Sequence, residues 1–163
     1  MTVHQMRVAE RKLSEGEARE ILEAGEYCVI STVDDDGMPY GVPLSYVMMD
    51  GGLFIHTTAT YGHKLDDFER DDRVCVTVAT EVEACFEDDF LTSRYASVIA
   101  RGHIRRVEDD LLVRQALVAL TMKYLPEYKH EIGPNMERDL SETAIWTVNF
   151  DEMVGKGARR LKK

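Results

Sequence analysis

The sequence predicts a mainly β fold with flanking helices, built as a small antiparallel β-barrel. Three observations predict it. Short β-branched segments follow one another through tight turns, Asp34-Asp35-Asp36-Gly37 and Asp50-Gly51-Gly52, and not through the crossover helices that parallel strands need. Val74, Val76 and Val78 alternate with the period of a strand. Helical periodicity is confined to the start of the chain and to two later stretches, which suits a barrel with helices around it. Neither G-x-G-x-x-G nor G-x-x-x-x-G-K occurs, so dinucleotide-binding α/β and P-loop folds fall away.

The elements follow in order. Ser14-Glu15-Gly16-Glu17 reads as a capping box opening a short helix over about residues 14–24, with Ala18, Ile21 and Leu22 on one stripe and Gly25 as its stop. Residues 27–33 form a first strand, ending in the Asp34–Gly37 turn. Residues 38–49 form a second extended segment. Pro39 and Pro43 each remove a ladder donor there, so the segment is bent, at an edge, or exposes backbone to a ligand. Residues 53–58 form a third strand. After Thr60 the period turns helical, with Leu65 and Phe68 on one side, and this helix ends near Asp71-Asp72. Val74, Val76 and Val78 mark a fourth strand, and the acidic residues 81–92 read as an irregular, solvated connection. Residues 95–107 form a long strand broken by Gly102. Val113, Ala116, Leu117, Leu120 and Tyr124 share the face of a helix that Pro126 closes. A polar loop, a last strand over residues 143–150 and a basic tail over about 156–163 complete the chain.

A length of 163 residues fits one domain, 1–163, with a real core. No apolar run is long enough to span a bilayer, and the opening residues lack the apolar stretch of a secretory signal, so the cytoplasm is the expected location. Cys28, Cys75 and Cys85 are odd in number, with no C-x-x-C spacing and no histidine cluster beside them. Buried or half-buried strand thiols are expected, with no disulfide framework and no metal site. The net charge of −10 argues against a nucleic-acid surface. The tail residues Arg159, Arg160, Lys162 and Lys163 read as a solvated end. An acidic protein of this kind binds an anion only through a few donors placed locally against the global field.

Residues 37–64 hold the most chemistry. The proline-marked segment carries Val42, Pro43, Leu44 and Ser45; the next strand ends on His56, Thr57 and Thr58; Tyr61, Gly62, His63 and Lys64 follow at a helix start. Hydroxyls, imidazoles, a lysine and free helix amides at one junction suit a phosphate group. The plainer reading is a helix capped by Thr60 with Lys64 at the surface. His56 also has two readings, a structural strand histidine or a group that donates a proton to a substrate. His63 contacts phosphate or lies at the surface; His4, His103 and His130 read as surface or structural, and Trp146 as core or interface, with ring stacking the lesser alternative.

The run G-x-P-Y-x-x-P-L-S-Y from Gly37, the strand ending I-H-T-T at Thr58, G-H-K-L from Gly62 and R-V-C-V-T-V from Arg73 resemble the pyridoxamine-5′-phosphate-oxidase-like flavoproteins. Within them the chain is most similar to the nitroimidazole-resistance branch, which Arg94-Tyr95-Ala96-Ser97-Val98-Ile99 before Gly102 also suits. The resemblance implies a split β-barrel homodimer with flavin mononucleotide (FMN) at the subunit interface. It places Val42, Pro43, Leu44 and Ser45 beside the flavin ring and His56, Thr57 and Thr58 along its ribityl and phosphate side. Gly62, His63 and Lys64 hold the phosphate, with Tyr61 replacing one of the family's donors in a segment about a residue longer than the family's, and Arg94, Tyr95, Ser97 and Trp146 close the site, some from the partner subunit. Val42 stands where pyridoxamine-phosphate oxidases carry a phosphate-binding arginine, so vitamin B6 synthesis is not the expected role. The implied function is an FMN-dependent oxidoreductase with His56 as catalytic residue, taking electrons from a nicotinamide nucleotide or other small donor to a small nitro- or quinone-like acceptor. The alternative is a flavin-binding module without efficient turnover, and FAD, a deazaflavin or haem are the alternative cofactors.

Overall fold

The structure is a computed structural model that describes residues 5–87 and 89–158. Its strands are β1 (Cys28–Val33), β2 (Pro39–Leu44), β3 (Val47–Met49), β4 (Gly52–Thr58), β5 (Arg73–Glu87), β6 (Phe90–Arg106) and β7 (Thr143–Ala158). They form one antiparallel sheet in the order β2-β1-β5-β6-β7-β4-β3. Its helices are α1 (Glu15–Ala24), α2 (His63–Arg70), α3 (Asp110–Tyr124) and α4 (Ile132–Asp139).

The strand order dictates the shape. β2 and β3 are consecutive in the chain, with Ser45 and Tyr46 between them, yet they lie at opposite edges of the sheet. A flat seven-stranded sheet is roughly 29 Å across at ~4.8 Å per step, whereas so short a link reaches only about 11 Å. The sheet therefore curls until its edges meet. No ladder joins β2 to β3 among the described residues, and the barrel is split along that seam.

Side chains hold the seam where backbone bonds do not. Tyr46 is fully buried, and its hydroxyl donates to the Leu22 carbonyl near the end of α1. Its amide donates to the Tyr124 hydroxyl (3.0 Å), which in turn donates to the Glu26 carbonyl (2.6 Å). Lys123 sits over the Tyr46 ring at 3.9 Å and donates to the Gly25 carbonyl at 2.8 Å, a cation–π contact combined with a helix-end bond. Burial raises the Tyr46 phenol pKa and pushes the neighbouring Cys28 thiol up to about 12, so both remain protonated and inert.

The inward faces of the strands supply the core: Ile30, Ile55, Val76, Val98, Ile104 and Val148 are all but completely buried, with Ala18, Ile21 and Leu22 of α1 joining them. A second cluster lies on the outer face, where Ala116 and Leu120 of α3 pack on Phe54 and Ile145. Gly102 sits at a bulge where β6 shifts register against β7; a Cβ there would stand 1.9 Å from the Asn149 carbonyl oxygen. Only glycine leaves room for that carbonyl.

Four sequence expectations need correction. Residues 38–49 are two strands separated at the seam, β2 being an edge strand as its prolines require. The acidic stretch 81–92 is no irregular connection but the far end of a hairpin, paired from Cys85↔Thr92 to Glu87↔Phe90 beyond a bulge at Thr80/Glu83. Its carboxylates disguise an alternation in which Val82, Ala84 and Phe86 occupy every second position. The polar loop after Pro126 contains α4; Pro134 falls in the first turn, where its missing N–H removes no helical bond. The last strand runs on to Ala158, so Lys156 of the expected tail belongs to β7. His4 and residues 159–163 lie outside the described residues.

Candidate functional site

Strand alternation divides β4 between core and site. Leu53, Ile55 and Thr57 point into the barrel, while Phe54, His56 and Thr58 point outward. Thr57 accepts a hydrogen bond from Trp146 Nε1 (3.2 Å) and donates to the Thr58 carbonyl (2.9 Å), and the Trp146 ring lies 5.3 Å from Phe68. Thr57 and Trp146 are thus interior residues, which fits the core reading of Trp146.

After Thr58 the chain turns into α2. Gly62 is the residue before that helix, with φ 151°, a conformation that favours glycine. No side chain caps α2, so the reading of Thr60 as a plain cap does not hold. By contrast Ser14 caps α1 with a full capping box and Asp109 caps α3. The start of α2 therefore keeps free N–H groups and the positive end of its dipole. Lys64 lies in that first turn, half-buried and without an ion pair among the described residues.

The other end of the same helix is fixed from below. Asp67 is 1% exposed and accepts from the Thr32 hydroxyl (2.7 Å) and from Arg70 (2.9 Å). Arg70 also donates to the Val33 carbonyl, which ties α2 to β1. Burial pushes the Asp67 carboxyl up, but the bonds from Thr32 and Arg70, with the charges of Arg70 and His63, outweigh it and hold the carboxyl below its ordinary range. The His63 ring stacks on Tyr40 of β2 at 4.0 Å, and its Nε2 lies 3.6 Å from Asp67. The His56 imidazole stands largely exposed beside this helix start and makes no side-chain hydrogen bond among the described residues. Partial burial and the charge of Lys64 both lower its pKa, so the imidazole is neutral near pH 7.

The fold thus gathers His56, Thr58, Gly62, His63 and Lys64. Through Tyr40 it also brings in β2, where Val42 lies two residues on and faces the same way as Ile30. Leu44 packs on the core near the seam; Pro43, Ser45 and Tyr61 are exposed, Tyr61 at 85%. Arg94, Tyr95 and Ser97 are not brought to this place within one chain. They lie at the far end of β6, roughly 33–43 Å along the strand from Val107, which pairs with the neighbour of His56. There Arg94 pairs with Glu83 (3.2 Å) and Ser97 donates to the Lys156 carbonyl. His103 is held by Asp72 and Asp151, and His130 lies beside Glu131, both structural or surface roles as expected. Sequence reasoning missed Thr32, Tyr40, Asp67 and Arg70 as the supports of α2. An aspartate four residues after His63 on a helix is the one local signal of them.

No group of three metal-ligating side chains occurs among the described residues. None of them forms a helix long and apolar enough to cross a membrane.

Comparison with known proteins places this arrangement. No curated protein matches the sequence. Among solved structures, a candidate 5-nitroimidazole antibiotic resistance protein from Bacteroides thetaiotaomicron superposes with a TM-score of 0.74 at 21% identity, over 90% of this chain and 86% of the other. A flavocytochrome from Azotobacter vinelandii superposes at 0.80 with 16% identity (96% and 73% covered), and an FAD and haem binding protein from Mycobacterium smegmatis at 0.77 with 20% identity (91% and 74% covered). These likenesses show the split-barrel fold. The family model described as pyridoxamine 5′-phosphate oxidase matches residues 14–157, and the chain belongs to that family.

Proposed function

We propose that the protein is a flavin-dependent oxidoreductase of the cytoplasm. It binds FMN with its phosphate at the start of α2 and passes electrons from a nicotinamide nucleotide to a small nitro- or quinone-like acceptor. The observation that carries the reading is the open start of α2, where uncapped amides, Gly62 and Lys64 converge beside His56. In a chain of net charge −10, such a concentration of donors suits a bound phosphate. Family membership supports it, as does the presence of FAD-binding and haem-binding proteins among the structural neighbours.

The flavin supplies the electron-carrying ring. The chain supplies the rest. Lys64 and the first α2 amides neutralise and orient the phosphate, and the Tyr40 and Asp67 contacts keep His63 turned toward it. His56, neutral near pH 7, donates an N–H hydrogen bond to the acceptor oxygen and steadies the charge that develops there, while the proton this oxygen takes up comes from solvent. Over one turnover the donor gives up a hydride, and the acceptor gains that hydride and one proton.

A second subunit completes the site in this reading. The outward face of β2-β1-β5-β6 carries Val29, Val33, Cys75, Thr77 and Ile99, half-buried or exposed, a run of small and apolar residues that suits a homodimer face. Arg94, Tyr95 and Ser97 then reach the flavin of the partner subunit.

The absorption spectrum of the purified protein tests the cofactor. Flavin bands, followed by acceptor reduction with a nicotinamide nucleotide, support the reading. A Soret band would replace flavin by haem, and flavin without turnover would leave a binding module.

A further inference from the structure

Resting on the role of His56 above, we propose that the cavity beside it, between β4, α3 and α4, binds an uncharged flat compound of one or two rings bearing a carbonyl oxygen, a quinone in kind. The cavity arises from where α3 stops covering the sheet. α3 seals the outer face over Phe54 and Ile145, but it ends at Tyr124, and Pro126 turns the chain away. α4 returns alongside without closing over His56. A space of about 330 Å³ remains between them.

Its walls are mostly apolar: Leu117 and Leu125 on the α3 side, Ile132, Met136 and Leu140 on the α4 side. Both threonine hydroxyls and the amide that line it are already used, while the Tyr128 phenol on the same wall has no hydrogen bond among the described residues. Thr121 donates to the Leu117 carbonyl (2.9 Å), Thr143 to the Asp139 carbonyl (3.0 Å), and the Asn135 amide to the Glu131 carbonyl (2.8 Å). The His56 imidazole is not so engaged, and as a neutral ring it offers one N–H to a carbonyl oxygen.

Size and charge narrow the ligand. Small-molecule sites run from about 300 to 1,000 Å³, and this one lies at the small end, with room for one ring or two fused rings but not for a nucleotide. Glu131 and Asp139 both line it, Asp139 held by Arg138 at 2.7 Å, in a chain that is strongly acidic overall. A carboxylate or sulfonate on the ligand would meet like charge here, whereas a neutral quinone would not.

The test uses the protein as purified, with bound flavin first quantified by absorbance. Isothermal calorimetry then measures binding of menadione, a neutral two-ring quinone, and of naphthoquinone sulfonate, its anionic counterpart. Menadione should bind about tenfold more tightly than the sulfonate, and Glu131→Gln should narrow that ratio. Ile132→Trp, which fills the cavity from α4, should weaken menadione by about tenfold or more while flavin content and melting temperature hold. Met136→Trp, on the next turn, provides a second filling should the first disturb folding. Equal affinity of the wild type for both quinones, or menadione binding that survives both fillings, would overturn the proposal. The flavin reading fails separately: a preparation without flavin that still binds menadione in this cavity refutes that reading and supports this one. Flavin-loaded protein that binds no quinone does the reverse.

Discussion

Asp67→Ala should lower folding stability by about 2–4 kcal/mol and loosen the start of α2 at the same time. The magnitude follows from what the carboxylate touches. Thr32 is 5% exposed, and its hydroxyl donates to Asp67 at 2.7 Å. Stranding such a donor costs about 1–3 kcal/mol. Arg70 is different, since its side chain is 36% exposed and returns to water when the partner is lost. Its screened ion pair contributes no more than about 1 kcal/mol. Thr32→Val removes the donor instead, and the double variant should fall short of the sum of the singles by about 1 kcal/mol, because both changes break one bond. Urea denaturation followed by Trp146 fluorescence measures this directly, for the ring lies 5.3 Å from Phe68 of α2. The slope should hold while the midpoint falls. The pH dependence has a definite sign. The folded carboxyl titrates below its unfolded value of about 3.9, so its stabilisation is complete above that pH and is lost as pH falls through the folded value. The gap between wild type and Asp67→Ala should therefore close only below about pH 4. A variant within about 0.5 kcal/mol of wild type at pH 7, strict additivity with Thr32→Val, or a gap unchanged in acid would refute the argument.

Four further outcomes are expected. Lys64→Ala should weaken FMN by about 1.5–3 kcal/mol and riboflavin hardly at all, since only FMN carries the phosphate; fluorescence titration with both ligands checks this, and an equal loss removes Lys64 from the phosphate. His56→Ala should keep flavin bound but slow acceptor reduction by about 10²–10⁴-fold in stopped-flow traces, whereas shed flavin at a lowered melting temperature would mark a structural histidine. Gly102→Ala should fail to give a folded barrel by circular dichroism, because the added carbon would overlap the Asn149 carbonyl at 1.9 Å. Dilution into the monomer range, followed by light scattering and flavin fluorescence, should release cofactor as the dimer parts, and a monomer that keeps its flavin would contradict a shared site.

Local chemistry was legible in the sequence wherever it was strong. The capping box of Ser14, the turns at Gly37 and Gly51 and the stripe of α3 are all present in the structure, because each is decided within a few residues. What was not legible depends on distant partners. Residues 38–49 read as one extended segment, since nothing near Ser45 announces that the chain leaves one sheet edge and enters the other. The arm beyond Thr80 was hidden by its carboxylates, and α4 by Gly133 and Pro134 at its start. At the site, the convergence of His56, Gly62, His63 and Lys64 follows from their closeness in the chain. The buried bond from Thr32 to Asp67 spans 35 residues and has no local signature beyond the helix spacing to His63.

The contrast among the helix starts has a physical meaning of its own. A side-chain cap on α2 would contribute about 1 kcal/mol to stability. The chain instead leaves that start open and anchors the helix through Asp67, one turn further in and facing the core. The two arrangements differ in what the exposed amides can still do. A capped start has spent its donors on the protein; an open start held by a buried carboxylate stays in place and keeps them for an anion. The same division runs along β4, where Thr57 is bonded into the core and His56, one residue earlier, is turned out beside the open helix start. In the proposed reading, stability and binding thus reside on neighbouring residues of one strand and on successive turns of one helix. It follows that Thr57→Val should act through the core, lowering the melting temperature with Trp146 Nε1 left unpaired, while His56→Ala should act on reduction. If both variants changed both properties equally, strand and helix would not be divided in this way.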